Sequence, residues 1–277
     1  MKEALNYVSP EQMPPFFIRN TFVSHAIACA VDFKVGRGFT KDGHKLFRKL
    51  LVKVCQGGKV SMSREASGIY EGANLSIEAE GQENIPSWGP SLFVGNHTRG
   101  GPMDSMGQYF DMVKEIYNTR SDEDNDEIRE PFVIVQRGIE KGRIIKFLSG
   151  IFYEIASNSL NCEIVAIPRY NESGEIINGQ KLRDNAIQRI IDGGASLWLP
   201  QGRHRDPEDL NFPEKKGNGF LGKISERDRH VQVVPVRSIP DSQGNIKITF
   251  GQSVDVGHIV RSGGINYFAE NHIAPLK

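Results

Sequence analysis

A histidine and an aspartate, His97 and Asp104, are the residues whose types and spacing could perform acid–base chemistry. His97 follows the short apolar run 91–95, a Gly-Gly-Pro turn lies at 100–102, and Asp104 opens a helix-like pattern. An imidazole takes up a proton near neutral pH, and a nearby carboxylate can orient its ring. The pair therefore predicts a general base that removes a proton from a hydroxyl group. From these residues alone, the alternative is that His97 ends a strand and Asp104 caps a helix.

A second stretch, 193–206, places cationic side chains directly after a predicted strand. A helix ends, a short buried strand follows, and a proline–glycine turn then delivers two arginines and a histidine together. The turn residues are Pro200, Gln201, Gly202, Arg203, His204 and Arg205. Guanidinium groups on such a turn can bind phosphate oxygens in pairs. The turn is therefore a candidate phosphate site, and the alternative is a basic turn on the surface.

A third arginine, Arg169, stands at the end of another predicted strand. Strand ends at one edge of an α/β sheet converge on a crevice, which is where such folds bind ligands. We therefore expect His97, Arg169 and Arg203 to share one site.

Alternating strand-like and helix-like segments from about residue 75 predict one layered α/β domain with a mostly parallel or mixed central sheet. Period-two alternation predicts a strand over 75–80, and short apolar runs predict buried strands. These runs are 91–95, 131–136, 163–168, 196–199 and 231–236, with a last strand at 247–250. Helical patterns lie at 103–117, 141–153 and 180–192. A polar C-terminal tail is expected after the last strand.

The first 70 residues differ from the rest, so we expect an N-terminal helical segment over 1–70 and the α/β domain over 71–277. The segment 45–55 has an amphipathic helical pattern, with Lys45, Lys49 and Lys53 among the basic residues outside its apolar face. Such a helix can lie on an anionic bilayer surface. The same apolar face could equally pack on the main domain.

Charge and cysteine content narrow the class of protein. Lysine plus arginine total 34, as do aspartate plus glutamate, so nothing in the net charge points to nucleic acid. The three cysteines, Cys29, Cys55 and Cys162, show neither metal-ligand spacing nor a disulfide framework, which favours a reducing compartment. The apolar stretch 16–33 is interrupted by charge and is a poor membrane span. We expect a cytoplasmic protein, soluble or peripheral on a membrane, without a metal.

Three other patterns carry no chemistry. The acidic stretch 121–130 lacks the glycine and glutamate of a calcium loop and is expected to be a solvated loop. The stretch 217–224 fits phosphate-loop patterns superficially, but no core strand precedes it and Ile224 replaces the required hydroxyl residue. We expect it to be a flexible glycine loop. The serine-hydrolase pattern G-x-S-x-G is absent, so no nucleophile is indicated.

Four short blocks follow one another between about residues 75 and 255. They are the histidine–aspartate block at 96–104, the apolar strand ending in arginine at 164–169, the Leu-Pro-Gln-Gly-Arg-His turn at 199–204 and the Val-Val-Pro-Val strand at 233–236. In order and spacing, these blocks resemble those of the glycerophospholipid acyltransferase family, which transfers fatty acyl groups to glycerol phosphate and lysophosphatidate.

The resemblance implies an O-acyltransferase. Asp104 would orient His97, and His97 would take the proton from an acceptor hydroxyl that attacks an acyl thioester directly. It implies acyl-CoA or acyl carrier protein as the co-substrate, no further cofactor, and a lipid or glycerophosphate acceptor. The residues implied in substrate binding are Arg169, Gln201, Gly202, Arg203 and Arg205.

Two departures from the family pattern leave alternatives open. Six residues separate His97 from Asp104 where the family has four, and Gln201 stands where the family has glutamate. The family's arginine position is also shifted, to Arg203 and Arg205. One alternative is an acyltransferase for a non-phosphorylated acceptor, such as an amino lipid or a small alcohol. Another is a catalytically silent lipid-binding protein in which the longer spacing has separated the pair.

Overall fold

A computed structural model of the chain describes most of the expected sheet and its helices. The described residues are 20–35, 41–58, 60–61, 63–65, 68, 76–97, 106–120, 131–136, 165–167, 169–170, 176–177, 180–201, 206, 208–241 and 245–276. Two helices come first, α1 (Thr21–Val35) and α2 (Lys41–Cys55). The expected helix at 141–153 and acidic loop at 121–130 lie outside the described residues.

The strands and the remaining helices of the described residues follow. The strands are β1 (Ile77–Glu80), β2 (Ser91–Gly95), β3 (Phe132–Gln136), β4 (Val165–Ile167), β5 (Arg169–Tyr170), β6 (Ile176–Ile177), β7 (Ala195–Trp198), β8 (Gln232–Pro240), β9 (Ile246–Phe250) and β10 (Val254–Asp255). The helices are α3 (Met106–Arg120), α4 (Gln180–Ile191), α5 (Glu214–Arg227), α6 (Val256–Ser262) and α7 (Gly264–Phe268), followed by a π-helical turn (Ala269–Ile273). A short 3-10 turn (Gln82–Asn84) follows β1.

The central sheet is mixed, which confirms the predicted fold class. Its strand order is β1-β9-β8-β2-β7-β3-β4, with β10 added beside β8. The five strands from β8 to β4 are parallel to one another. β9 and β10 run antiparallel to β8, and β1 runs parallel to β9. The carboxyl ends of the parallel strands therefore lie at one edge, the edge on which His97 and the proline–glycine turn were expected to meet.

Helices cover both faces of this sheet. Side chains of β2 alternate between the faces, so that Phe93 lies in one hydrophobic cluster and Leu92 and Val94 lie in another. Residues of α2 and α3 complete the first cluster. Residues of α4, α5, α6 and α7 complete the second. The result is a three-layer arrangement of helices, sheet and helices.

The amphipathic helix in the N-terminal segment packs on the sheet. It begins at Lys41, four residues before the predicted start, and buries Phe47, Leu50, Leu51 and Val54 in the cluster that contains Phe93. Of the two alternatives for the apolar face of this helix, the structure shows packing on the main domain. In the described ranges, no helix is long and apolar enough to cross a membrane.

The prediction of a flexible glycine loop at 217–224 is wrong, because these residues lie inside α5. Phe220, Leu221 and Ile224 are at most 3% exposed and form the helix face that packs on the second cluster. Gly217 allows Ile265 of α7 to approach α5 closely, since a Cβ at position 217 would lie 2.6 Å from Cγ2 of Ile265. The burial of three large side chains outweighs the roughly 1 kcal/mol by which glycine disfavours a helix interior.

The prediction of a polar C-terminal tail is also wrong. The chain after β9 forms β10, α6, α7 and the π-helical turn, and apolar side chains of this segment are fully buried in the second cluster. They are Val256, Ile259, Ile265, Phe268 and Ile273. Polar residues lie between these positions in the sequence. The average composition of the segment is therefore polar, although one face of its helices is apolar and buried.

Candidate active site

The end of β2 is fixed by a polar side chain directly after the strand. Nδ2 of Asn96 donates to the Ser238 carbonyl oxygen (2.9 Å), and the Ser238 N–H donates to Oδ1 of Asn96 (2.8 Å). Asn96 is 1% exposed. Its amide thus extends the pairing of β2 with β8 by one step and holds the point at which the chain turns into His97.

His97 lies at the carboxyl edge of the sheet and is buried. Its backbone N–H donates to Oε1 of Gln201 at 2.7 Å. Gln201 belongs to the turn that follows β7, and β7 is the direct parallel neighbour of β2. The structure therefore brings together the histidine block and the proline–glycine turn, which lie 104 residues apart in the chain.

These two strand ends lie where the connections of neighbouring strands leave on opposite faces of the sheet. The chain after β2 continues into α3, which packs on the first cluster. The chain after β7 continues into α5, which packs on the second cluster. Such a switch point opens a crevice between two strands in α/β sheets and is their usual ligand site. His97 and Gln201 follow the two neighbouring strands at this switch point.

Arg169 lies at the same edge but farther along the sheet. The predicted strand 163–168 is observed as β4, and Arg169 begins β5, which pairs antiparallel with β6 rather than with the central sheet. β4 is the third neighbour of β2, so three strand spacings of about 4.8 Å separate their ends. The turn after β7 is only one spacing from β2.

Four residues predicted in the site, Asp104, Gly202, Arg203 and Arg205, lie outside the described residues. Their roles remain predictions. Within the ranges that the structure describes, no three His, Cys, Asp or Glu side chains come together as metal ligands would.

A buried arginine near the site was missed by the sequence-based prediction. Arg237, in β8, is 5% exposed. Its Nη1 donates to the carbonyl oxygens of Ala274 and Leu276 (2.7 Å each), and its Nη2 donates to both carboxylate oxygens of Glu208 (2.9 Å each). The available signal was a charged residue directly after the apolar Val-Val-Pro-Val run, inside what is one long buried strand.

The fold and this edge define an α/β protein with a histidine at the switch point of its sheet. Comparison with protein-family models and with curated proteins finds no match. Among solved structures, the chain is similar to the 1-acyl-sn-glycerophosphate (LPA) acyltransferase PlsC from Thermotoga maritima. The TM-score is 0.47 and the identity 15%, and the match covers 90% of this chain and 91% of that chain.

Proposed function

We propose that the protein transfers a fatty acyl group from a thioester donor, acyl-CoA or acyl carrier protein, to the hydroxyl of a glycerophosphate or lysophospholipid. The observation that carries this proposal is the position of His97, buried at the switch point with its backbone held by Gln201. Two of the blocks that resemble the acyltransferase family, the histidine block and the proline–glycine turn, thus meet at the place where an α/β sheet binds ligands.

The proposed reaction needs no covalent acyl-enzyme. His97 removes the proton from the acceptor hydroxyl, the hydroxyl oxygen attacks the thioester carbonyl carbon, and the C–S bond breaks. Asp104 orients the His97 ring and stabilises the imidazolium, which then returns its proton to the leaving thiolate. Because the His97 N–H already donates to Gln201, the developing oxyanion takes its hydrogen bonds from other donors.

The acceptor is the first thing to test, with a panel of acyl-CoA and acyl carrier protein donors read by mass spectrometry. Each phosphorylated acceptor is paired with its dephosphorylated counterpart. We expect product with the phosphorylated acceptors. Product from both members of a pair at equal rates would favour a non-phosphorylated acceptor. Absence of product with every pair, together with lipid binding, would favour the silent lipid-binding protein.

The arginines should act on the acceptor phosphate. A charge-assisted hydrogen bond contributes about 1.5–3 kcal/mol, so Arg203→Ala or Arg205→Ala should weaken use of the phosphorylated acceptor roughly 10- to 100-fold. The change should appear mainly in the KM of the acceptor, while the KM of the donor stays constant. Arg169→Ala should have a smaller effect, because β4 ends three strand spacings from β2. Equal losses with the dephosphorylated acceptor would contradict the phosphate role.

Membrane contact is proposed through the outer face of α1 and α2, since the inner face is packed. Phe22 of α1 is 82% exposed and Leu46 of α2 is 42% exposed. Lys45, Lys49 and Lys53 are also exposed on α2. Leu46 lies beside the exposed Lys45 and Lys49 on α2. An apolar side chain flanked by lysines suits an anionic bilayer surface, where each lysine contributes about 1 kcal/mol.

Liposome co-sedimentation tests this contact. Binding to vesicles containing anionic lipid should fall as salt shortens the Debye length below about 10 Å. It should also fall when Lys45, Lys49 and Lys53 are replaced together by glutamine. Replacing exposed Lys223 of α5 by glutamine is the control and should leave binding unchanged. Liposome binding that changes neither with salt nor with the triple substitution would exclude this surface as the membrane contact.

A further inference from the structure

The side chain of Gln201 is engaged at both ends by other parts of the chain. Its Oε1 accepts the His97 N–H, and its Nε2 donates to the Asp209 carbonyl oxygen. The residue is 8% exposed. The amide of Gln201 can both accept and donate, whereas a carboxylate has no donor and a thioether has neither function at useful strength. Gln201 therefore spans the gap between the His97 backbone and the loop that contains Asp209.

Arg237 holds the same loop from the other side. Its guanidinium binds both carboxylate oxygens of Glu208, the residue before Asp209, and also the carbonyl oxygens of Ala274 and Leu276. The Glu208 side chain is 78% exposed, so the ion pair alone would be weak. The two carbonyl contacts keep the buried guanidinium in place and link the loop to the C-terminal segment.

We propose that Gln201 and Arg237 are positioning residues for His97, and that the C-terminal segment is part of this support. The expected effect on kcat rests on the proposed function. The expected effect on the position of the His97 backbone does not. Gln201 fixes the position of the His97 peptide beyond the end of β2. Arg237 keeps the Asp209 carbonyl oxygen within hydrogen-bonding distance of Gln201. A shift of the His97 peptide would move the imidazole away from the acceptor hydroxyl, and misplacement of about 1 Å can cost about 10²-fold in rate.

Hydrogen exchange of the His97 amide, followed by nuclear magnetic resonance, tests the support without any substrate. In Gln201→Met the His97 N–H loses its acceptor, so its exchange should accelerate at least about 10-fold. Gln232→Met is the matched control. Gln232, the first residue of β8, also has a donating amide (Nε2 to Oδ1 of Asp255, 2.6 Å), but it pairs with Ser91 at the opposite edge of the sheet. Exchange at His97 that is equal in both variants would overturn the proposal.

Gln201→Glu tests the donating end. The carboxylate can still accept the His97 N–H but faces the Asp209 carbonyl oxygen, so burial and repulsion should raise its pKa, and only its protonated form can donate. The kcat of this variant, divided by that of the unaltered protein, should therefore fall as pH rises. Any effect of His97 protonation on kcat is common to both proteins and cancels in this ratio. Gln232→Glu should give a ratio that does not change with pH, and a flat ratio for Gln201→Glu would overturn the proposal.

Arg237→Met tests the C-terminal link and needs a control for the loss of a buried arginine. Arg120 is 7% exposed, and burial lowers its pKa. It donates to the carbonyl oxygens of Pro86 and Gly89, at the amino end of β2. Both arginine variants should lose stability. Arg237→Met alone should accelerate His97 exchange and lower kcat about 10-fold, with less change in KM.

The two levels of the proposal fail separately. Failure of acyl transfer with every donor would remove the proposed function but leave the exchange result intact. Unchanged His97 exchange in Gln201→Met would remove the positioning role even if the protein is an active acyltransferase. Unchanged exchange in Arg237→Met would remove Arg237 and the C-terminal segment from that role.

Discussion

Replacement of His97 by alanine is expected to lower the kcat of acyl transfer by about 10²–10⁴-fold, the usual contribution of a general base. The variant should fold normally, because His97 contacts Gln201 through its backbone N–H, which alanine retains. The measurement is steady-state kinetics with the best donor and acceptor pair, together with thermal unfolding. Asp104→Asn should lose less activity than His97→Ala.

The control for His97→Ala is His230→Ala. His230 is exposed and precedes β8 at the opposite edge of the sheet, so its loss should leave kcat unchanged. Turnover of His97→Ala close to that of His230→Ala would disprove the general-base mechanism.

Replacement of Phe47 by alanine is expected to lower the free energy of unfolding by about 3–5 kcal/mol, as is usual for a fully buried aromatic residue. Phe47 is 0% exposed in the cluster that joins α2 to Phe93 of the sheet. The measurement is denaturant unfolding. Leu46→Ala is the matched control, because Leu46 is 42% exposed on the same helix and a surface change should cost no more than about 0.5 kcal/mol.

Equal costs for the Phe47 and Leu46 variants would mean that α2 does not pack on the sheet. Its apolar face would then be available to a bilayer, and the lysine substitutions should have a larger effect on liposome binding. Unequal costs in the expected direction leave only the outer face for membrane contact.

Local patterns in the sequence predicted each strand of the parallel part of the sheet, although β8 runs to Pro240, four residues beyond its predicted end. β2 and β3 lie within one residue of their predicted bounds, and α4 ends one residue before its predicted end. Strands buried on both faces give short continuous apolar runs, and Gly193-Gly194 stops α4. α3 continues three residues beyond its predicted end and finishes at Arg120, whose side chain is held by the carbonyl oxygens of Pro86 and Gly89.

The second cluster could not be predicted in this way. Three glycines within 217–222 indicate a loop by their local preference, and the helix forms there because Gly217 admits Ile265 of α7. The two residues that make this contact, Gly217 and Ile265, are 48 positions apart in the chain. Their packing is a tertiary effect, and it overrides intrinsic helix propensities that differ by about 1 kcal/mol.

The sequence by itself determined the fold class and the candidate base, because strand periodicity is a local property and because His97 directly follows an apolar strand. The tertiary structure alone decided the partners of the polar groups around that base. The amide of Gln201, a residue whose role in substrate binding stays a prediction, joins the His97 backbone to Asp209. Arg237 gave no motif, yet it links the C-terminal segment to the same loop. The hydrogen bond from His97 to Gln201 joins residues 104 positions apart. Such a contact depends on strand order and register, which are set when the whole sheet forms.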